Sequence, residues 1–163
     1  MELTTTDILI RLVIALLLGS LLGIERTLAG KTAGMRTYAL VSMGSALFAL
    51  ISLLMSEKLV GTVAFNPIVL GPAIISGIGF IGAGLVFHNS QDMRTSGLTS
   101  AAGLWVAAGV GMATGFGYAL VALMAALLTL LVFTVMWYIE KDFKKLSYSD
   151  EKSEKENSER FHE

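Results

Sequence analysis

The sequence predicts an all-α integral membrane protein, a bundle of about five transmembrane helices followed by a charged tail. Hydrophobic residues fill 54% of the 163 positions, and the mean hydropathy is +0.69. Charge is concentrated at one end, because residues 140–163 carry 14 of the 25 Asp, Glu, Lys and Arg side chains. A soluble domain would place charge on every amphipathic face, so lipid is the indicated solvent. We divide the chain into a transmembrane domain, 1–139, and a cytoplasmic tail, 140–163, that we expect to be disordered.

Five apolar segments approach the roughly 20 residues that a transmembrane helix needs. They lie at 8–24, 38–55, 68–87, 98–112 and 118–139. The fourth is short and rich in small residues, so an alternative with four spans and a re-entrant fourth segment stays open. The last segment is bulky on nearly all sides, which predicts a place at the edge of the bundle, facing lipid.

Lysine and arginine in the short loops predict the orientation of the chain. Seven of these residues fall on one side of the predicted membrane, against Lys58 on the other. The seven are Arg26, Lys31, Arg36, Arg94, Lys141, Lys144 and Lys145. Positive loops favour the cytoplasm, so we expect the N-terminus outside and the C-terminus inside.

The third segment contains the stretch SGIGFIGAG, which matches the pattern G-x-G-x-x-G at Gly77, Gly79 and Gly82. A dinucleotide-binding turn has to follow a strand, whereas these glycines lie inside an apolar span of membrane length. We interpret the stretch as a helix that packs through small side chains, because lipid tails supply no hydrophobic drive for helix association. Similar small residues recur every four positions at Ala15, Gly19 and Gly23, and again at Gly111 and Gly115.

A seam of hydroxyl-bearing and small side chains runs along the second segment. Its members are Tyr38, Ser42, Ser45, Ala49, Ser52 and Ser56. Such a seam forms either a wet pathway or a tight contact in which hydroxyls bond across helices or to their own backbone. We favour the tight contact.

Charged residues near the membrane edges are further candidates for function, because charge is costly in hydrocarbon. Arg11 follows Asp7 by one helical turn, a spacing that suits an ion pair near the outer interface, and such an arginine commonly snorkels to the headgroups. Glu25 and Asp92 are the candidate metal ligands, since Mg²⁺ is often held by one or two carboxylates and several waters.

Three arginines, Arg26, Arg36 and Arg94, are expected near those two carboxylates. We therefore favour a salt-bridged cluster over a metal site at this membrane edge. The chain has no cysteine, and its two histidines have no partner at metal-ligand spacing. Nothing resembles a nucleophile paired with a base, so we expect no enzyme activity, no cofactor and no nucleic-acid partner.

Three stretches stand in order between Gly19 and Gly111, namely GSLLGIERTLAGKTAGMRTYALVSMGSALF, SGIGFIGAGLVF and GLTSAAGLWVAAGVG. They resemble the signature blocks of the MgtC/SapB family of bacterial membrane proteins. On this resemblance the family pattern falls on Gly23, Glu25, Arg26, Lys31, Ala33, Gly34, Arg36, Thr37, Ser76, Gly77, Gly79, Phe80, Gly82, Gly84, Gly97, Leu98, Thr99, Ala101 and Trp105.

The resemblance implies a small helical protein of the bacterial inner membrane that is associated with magnesium homeostasis. It further implies a non-enzymatic regulator of other membrane proteins, such as ATP synthase or ion transporters, with the basic first loop as a contact surface. The alternative is a small transporter or channel for Mg²⁺ or another ion, in which a homo-oligomer would multiply the carboxylates into a ring. We expect the short form of the family, without the soluble C-terminal domain of longer members.

The sequence departs from the family pattern around the third segment. Asn66-Pro67-Ile68-Val69 stands where Asp-Pro-x-Arg is usual, Ala73 replaces a common glutamine, and Ser96 replaces a basic residue. These changes remove charge and weaken the expectation of an ion site there.

Overall fold

The computed structural model describes residues 3–59, 66, 69–87, 97–136 and 138–139, and it is helical without any strand in these ranges. Five helices follow one another: α1 Thr5–Leu28, α2 Met35–Lys58, α3 Leu70–Phe87, α4 Leu98–Gly115 and α5 Ala119–Met136. The prediction of an all-α protein with about five helices is confirmed.

Four helices, α1, α2, α4 and α5, are long and apolar enough to cross a membrane. α3 is not among these four, and its apolar stretch, Leu70–Val86, is shorter. Because α4 is one continuous helix of 18 residues, the structure favours a fourth span over a re-entrant segment. The orientation of the termini stays a prediction, and the tail, 140–163, lies outside the described residues.

The chain divides by its internal contacts into two compact units, residues 1–130 and 131–163. The first unit contains α1 to α4 and the beginning of α5. In that part of α5 the large side chains are exposed, whereas Ala122 and Ala126 are buried. The described residues of the second unit, 131–136 and 138–139, are helical.

α1 and α2 are joined by a tight turn at residues 29–34. The Met35 amide donates to Thr27 Oγ1 at 2.9 Å, and that hydroxyl donates to the Gly23 carbonyl at 3.0 Å. A Cβ on Gly34 would lie 2.5 Å from Thr27 Oγ1, and a Cβ on Gly23 would overlap the Met35 Cα. One hydroxyl and two glycines therefore bring the start of α2 against the end of α1.

Helices α1, α2 and α4 each pack against the other two and form the core of the first unit. The rows of small residues lie at these contacts. A Cβ on Gly19 would lie 2.6 Å from Ser42 Cβ, and one on Gly115 would lie 2.6 Å from the Ala46 carbonyl oxygen. The space beside Gly111 is filled by the Ser42 carbonyl. Backbones thus approach as closely as small residues allow, which is the usual basis of helix association in lipid.

The hydroxyl seam of α2 lies inside this core, and every member except Ser56 is buried. The Tyr38 hydroxyl donates to the Ser100 carbonyl of α4 at 3.0 Å. Ser42 Oγ donates to the Ala15 carbonyl of α1 at 2.8 Å. These hydroxyls bond across helices, as the tight-contact interpretation of the seam predicted.

α3 lies at the periphery, where it packs mainly on α4 and to a smaller extent on α2. The expectation that SGIGFIGAG packs through its small side chains holds at Gly82, where a Cβ would lie 3.3 Å from Ala101 Cβ. Gly77, Gly79 and Gly84 have no atom within 4 Å of a Cβ, and Ile78 is the buried side chain instead. These three glycines therefore make no close helix contact within the unit.

Candidate functional site

The Glu25 and Arg26 side chains form an ion pair at the end of α1, in which Arg26 Nε donates to Glu25 Oε2. Arg26 is almost fully buried, with 3% of its surface exposed. The pair also lies within electrostatic range of the Tyr38 hydroxyl. A carboxylate that was a candidate metal ligand is thus bound to a guanidinium of its own chain.

The structure describes only part of the predicted cytoplasmic cluster. Lys31 and Arg36 are exposed, whereas Asp92, Arg94 and Ser96 lie outside the described residues. Within the described ranges, no group of three or more His, Asp or Glu side chains could hold a metal ion. Among the described residues, the salt bridge between Glu25 and Arg26 is therefore the part of the predicted cytoplasmic cluster that the structure contains.

Arg11 has a partner that sequence spacing did not indicate. Its Nη1 donates to the Gly115 carbonyl, 104 residues away, at 2.8 Å. That carbonyl belongs to the last turn of α4, where backbone acceptors lack partners within the helix and the helix dipole favours a cation. Arg11 and Asp7 lie within electrostatic range of each other but form no salt bridge, and the Asp7 carboxylate closes a capping box with Thr4. Arg11 instead joins α1 to the end of α4.

Replacing Arg11 with glutamine is expected to lower the free energy of unfolding by about 1 kcal/mol, because a charge-assisted hydrogen bond at a helix C-terminus is lost. Chemical denaturation in detergent micelles measures the change. Lys58→Gln is the matched control, since Lys58 is an exposed cation at the end of α2. Equal stability of the two variants would contradict a clamping role for Arg11.

A small cavity of about 200 Å³, with both apolar and charged side chains in its lining, lies beside Arg11. Asp7, Ser56 and Glu57 share its lining with the arginine. Sequence reasoning did not single out Glu57, which ends the α2 helix among polar residues without a motif of its own. The Asp7 carboxylate bonds to Thr4 and the Arg11 guanidinium to Gly115, so two of the three charged groups in the lining already have structural partners.

An open groove lies between α3 and α4, with a volume of about 360 Å³, and we call it the α3–α4 groove. Small side chains make up much of its lining, and Trp105 stands in it with 54% of its surface exposed. The lining residues are Ile78, Gly79, Gly82, Ala83, Val86, Leu98, Ala101, Ala102 and Trp105. Five of them belong to the signature pattern: Gly79, Gly82, Leu98, Ala101 and Trp105.

Other signature residues lie at the α1–α2 turn and at the start of α4. Gly23, Glu25, Arg26, Ala33 and Gly34 are at the α1–α2 turn, where they set its close contacts and its ion pair. Gly97 caps the start of α4 with φ +95°, in the left-handed region that favours glycine. The pattern thus contains one group that builds the turn and the helix start and another that lines the α3–α4 groove. Ser76, Gly77, Phe80 and Gly84 of α3 belong to neither group.

Residues 12–142 match the family model of the MgtC family. The chain belongs to this family. The resemblance of its three stretches to MgtC/SapB signature blocks is thereby confirmed, and the apolar helices agree with a membrane protein. No solved structure matches the chain.

Several curated members of the MgtC family are similar to the chain. SapB of Bacillus subtilis strain 168 is 37% identical over 98 residues, which are 59% of this chain and 42% of that protein. MgtC of Salmonella typhimurium strain LT2 is 40% identical over 94 residues, 58% of this chain and 37% of that protein. "Putative magnesium transporter YhiD" of Escherichia coli strain K12 is 37% identical over 100 residues, 60% of this chain and 46% of that protein. The chain thus spans less than half of each of these three relatives.

Proposed function

We propose that this MgtC-family protein is a non-enzymatic regulator in magnesium homeostasis that acts by contact with another protein of the bacterial cytoplasmic membrane. The α3–α4 groove is the observation that carries the proposal. Its small side chains leave backbone accessible from the lipid side, where a transmembrane helix of a partner can approach closely. ATP synthase and ion transporters are the partner classes that we propose, and the link to magnesium rests on the family and on the printed name of YhiD.

The charges and hydroxyls of the first unit support contact rather than chemistry. Glu25 is paired with Arg26, and Arg11 is bound to the end of α4. The seam of α2 is closed by hydrogen bonds to α1 and α4. What stays open is an apolar surface, in which the α3–α4 groove combines glycine and alanine with the exposed Trp105 and a few larger aliphatic side chains.

The groove proposal is tested by filling the groove. Gly79→Leu adds a side chain in open space of the α3–α4 groove, so the fold should tolerate it while a docked helix is excluded. Gly109→Leu is the matched control, since a Cβ on Gly109 also has no atom within 4 Å and Gly109 is not in the lining. With a photo-crosslinker at Ala102, we expect adducts to membrane proteins in the wild type and in Gly109→Leu, and a loss of them together with low-magnesium growth in Gly79→Leu. Retention of both by Gly79→Leu would refute the proposal.

Transport of Mg²⁺ is the second candidate function, and the name of YhiD is the observation that favours it. Against it stands the tight α2 seam, which was the one pathway that the sequence offered within a single chain. Uptake of Mg²⁺ into proteoliposomes that contain the purified protein separates the two functions. Saturable uptake above that of empty vesicles would mean that the protein transports Mg²⁺, and the proposal of a regulator would be rejected.

A further inference from the structure

A second and larger groove, of about 530 Å³, lies between α2 and α3, and we call it the α2–α3 groove. It exists because α3 leans on α4 and touches α2 only in part. The lining is carbon except for the hydroxyl of the buried Ser45. The lining residues are Leu40, Val41, Gly44, Ser45, Phe48, Leu70, Ala73, Ile74, Gly77, Ile78 and Ile81.

The α2–α3 groove is apolar along its length, as a site for lipid acyl chains has to be. Its wall on α2 runs from Leu40 to Phe48, a rise of about 12 Å. Acyl chains can lie along an open apolar groove of this length.

The Arg36 side chain is a cation on the same side of α2 as the groove, beyond one end of it. Arg36, Leu40, Gly44 and Phe48 recur every four residues, so they form one continuous row on α2. The 24 residues of α2 span about 36 Å, more than the roughly 30 Å of hydrocarbon, so the first turn reaches the headgroup region. Arg36 is exposed there, the first turn holds no acidic residue, and within the described residues its side chain forms no ion pair.

We propose that the α2–α3 groove is a binding site for an anionic phospholipid, whose acyl chains occupy the groove and whose phosphate is bound by Arg36. The apolar walls of the groove accommodate the acyl chains. Arg36, beyond the end of the groove, favours a negative headgroup over a neutral one. This site does not depend on the proposed regulatory function, because its groove lies between α2 and α3 and shares only Ile78 with the lining of the α3–α4 groove.

Native mass spectrometry of the protein in detergent tests the site, with phosphatidylglycerol and phosphatidylcholine of identical chains as probes. We expect phosphatidylglycerol to bind about fivefold more tightly, the amount that one interfacial cation contributes. Arg36→Gln should abolish this preference and Arg36→Lys should largely keep it. Lys58→Gln, at the other end of the same helix, should leave it unchanged.

A second pair of variants tests the groove itself. A Cβ on Gly44 meets no atom within 4 Å, so Gly44→Leu fits the fold and fills the groove. We expect it to weaken binding of both lipids, while Gly109→Leu, outside the groove, weakens neither. Equal binding of the two lipids by the wild type, or an unchanged preference in Arg36→Gln, would overturn the proposal. So would unchanged lipid binding by Gly44→Leu.

Discussion

Replacing Gly111 with alanine is expected to force α2 and α4 apart and to lower the free energy of unfolding by about 3 kcal/mol, the upper end of the usual cost of overpacking. The added Cβ would overlap the Ser42 carbonyl, which is backbone and cannot rotate away. Ser42 is also fixed on its other side, because its hydroxyl donates to the Ala15 carbonyl at 2.8 Å. Any movement of α2 away from α4 is therefore passed on to α1.

Gly109→Ala is the matched control for this experiment, since it makes the same chemical change two residues away in the same helix. A Cβ on Gly109 meets no atom within 4 Å. Alanine favours a helix over glycine by about 1 kcal/mol, so this variant should be as stable as the wild type or more so. Denaturation in detergent micelles, followed by circular dichroism, measures both. Equal stability of the two variants would mean that α2 and α4 do not meet at Gly111.

Replacing Glu25 with alanine is expected to lower the free energy of unfolding by about 2 kcal/mol. The change removes the carboxylate that pairs with Arg26, a residue with only 3% of its surface exposed. Loss of one member of a buried ion pair costs about 3–5 kcal/mol, and the smaller figure applies here because the Glu25 side chain is 20% exposed. The same denaturation experiment measures the effect.

The double variant Glu25→Ala/Arg26→Met separates charge pairing from ion binding. It removes the buried cation together with its partner, so we expect it to recover part of the stability that Glu25→Ala loses. A loss of magnesium-dependent activity in Glu25→Ala alone would then reflect a damaged turn. If Glu25→Ala were as stable as the wild type and took up less Mg²⁺, the carboxylate would be an ion ligand after all.

Apolar run length predicted the helices well, with ends that differ by a few residues from those observed. The second segment was predicted at 38–55, whereas α2 runs Met35–Lys58. The difference arises because the helix continues through Arg36 and Glu57, whose polar side chains end an apolar run without ending backbone hydrogen bonding. The seam was predictable for a related reason, since hydroxyls at helical spacing need acceptors on neighbouring helices.

Two features of the sites were beyond the reach of the sequence. A row of glycines shows which face of a helix permits close approach, but it does not show what approaches, so the open face of α3 could not be predicted. Spacing along a helix reveals only local partners, which is why Asp7 was paired with Arg11. The true acceptor, the Gly115 carbonyl, is a backbone atom that carries no sequence signal at all.

Chain order and packing order differ in this bundle, and this has a consequence for how the protein is made. A nascent chain meets only the helices that the ribosome has already delivered. α3 emerges before α4, its main neighbour, so it must partition into lipid on its own apolar character. α4 is the least apolar of the four candidate spans, and it emerges when α1 and α2 are already present as a template. Its glycines are thus matched to a surface that precedes it, which couples the membrane insertion of α4 to the integrity of α2.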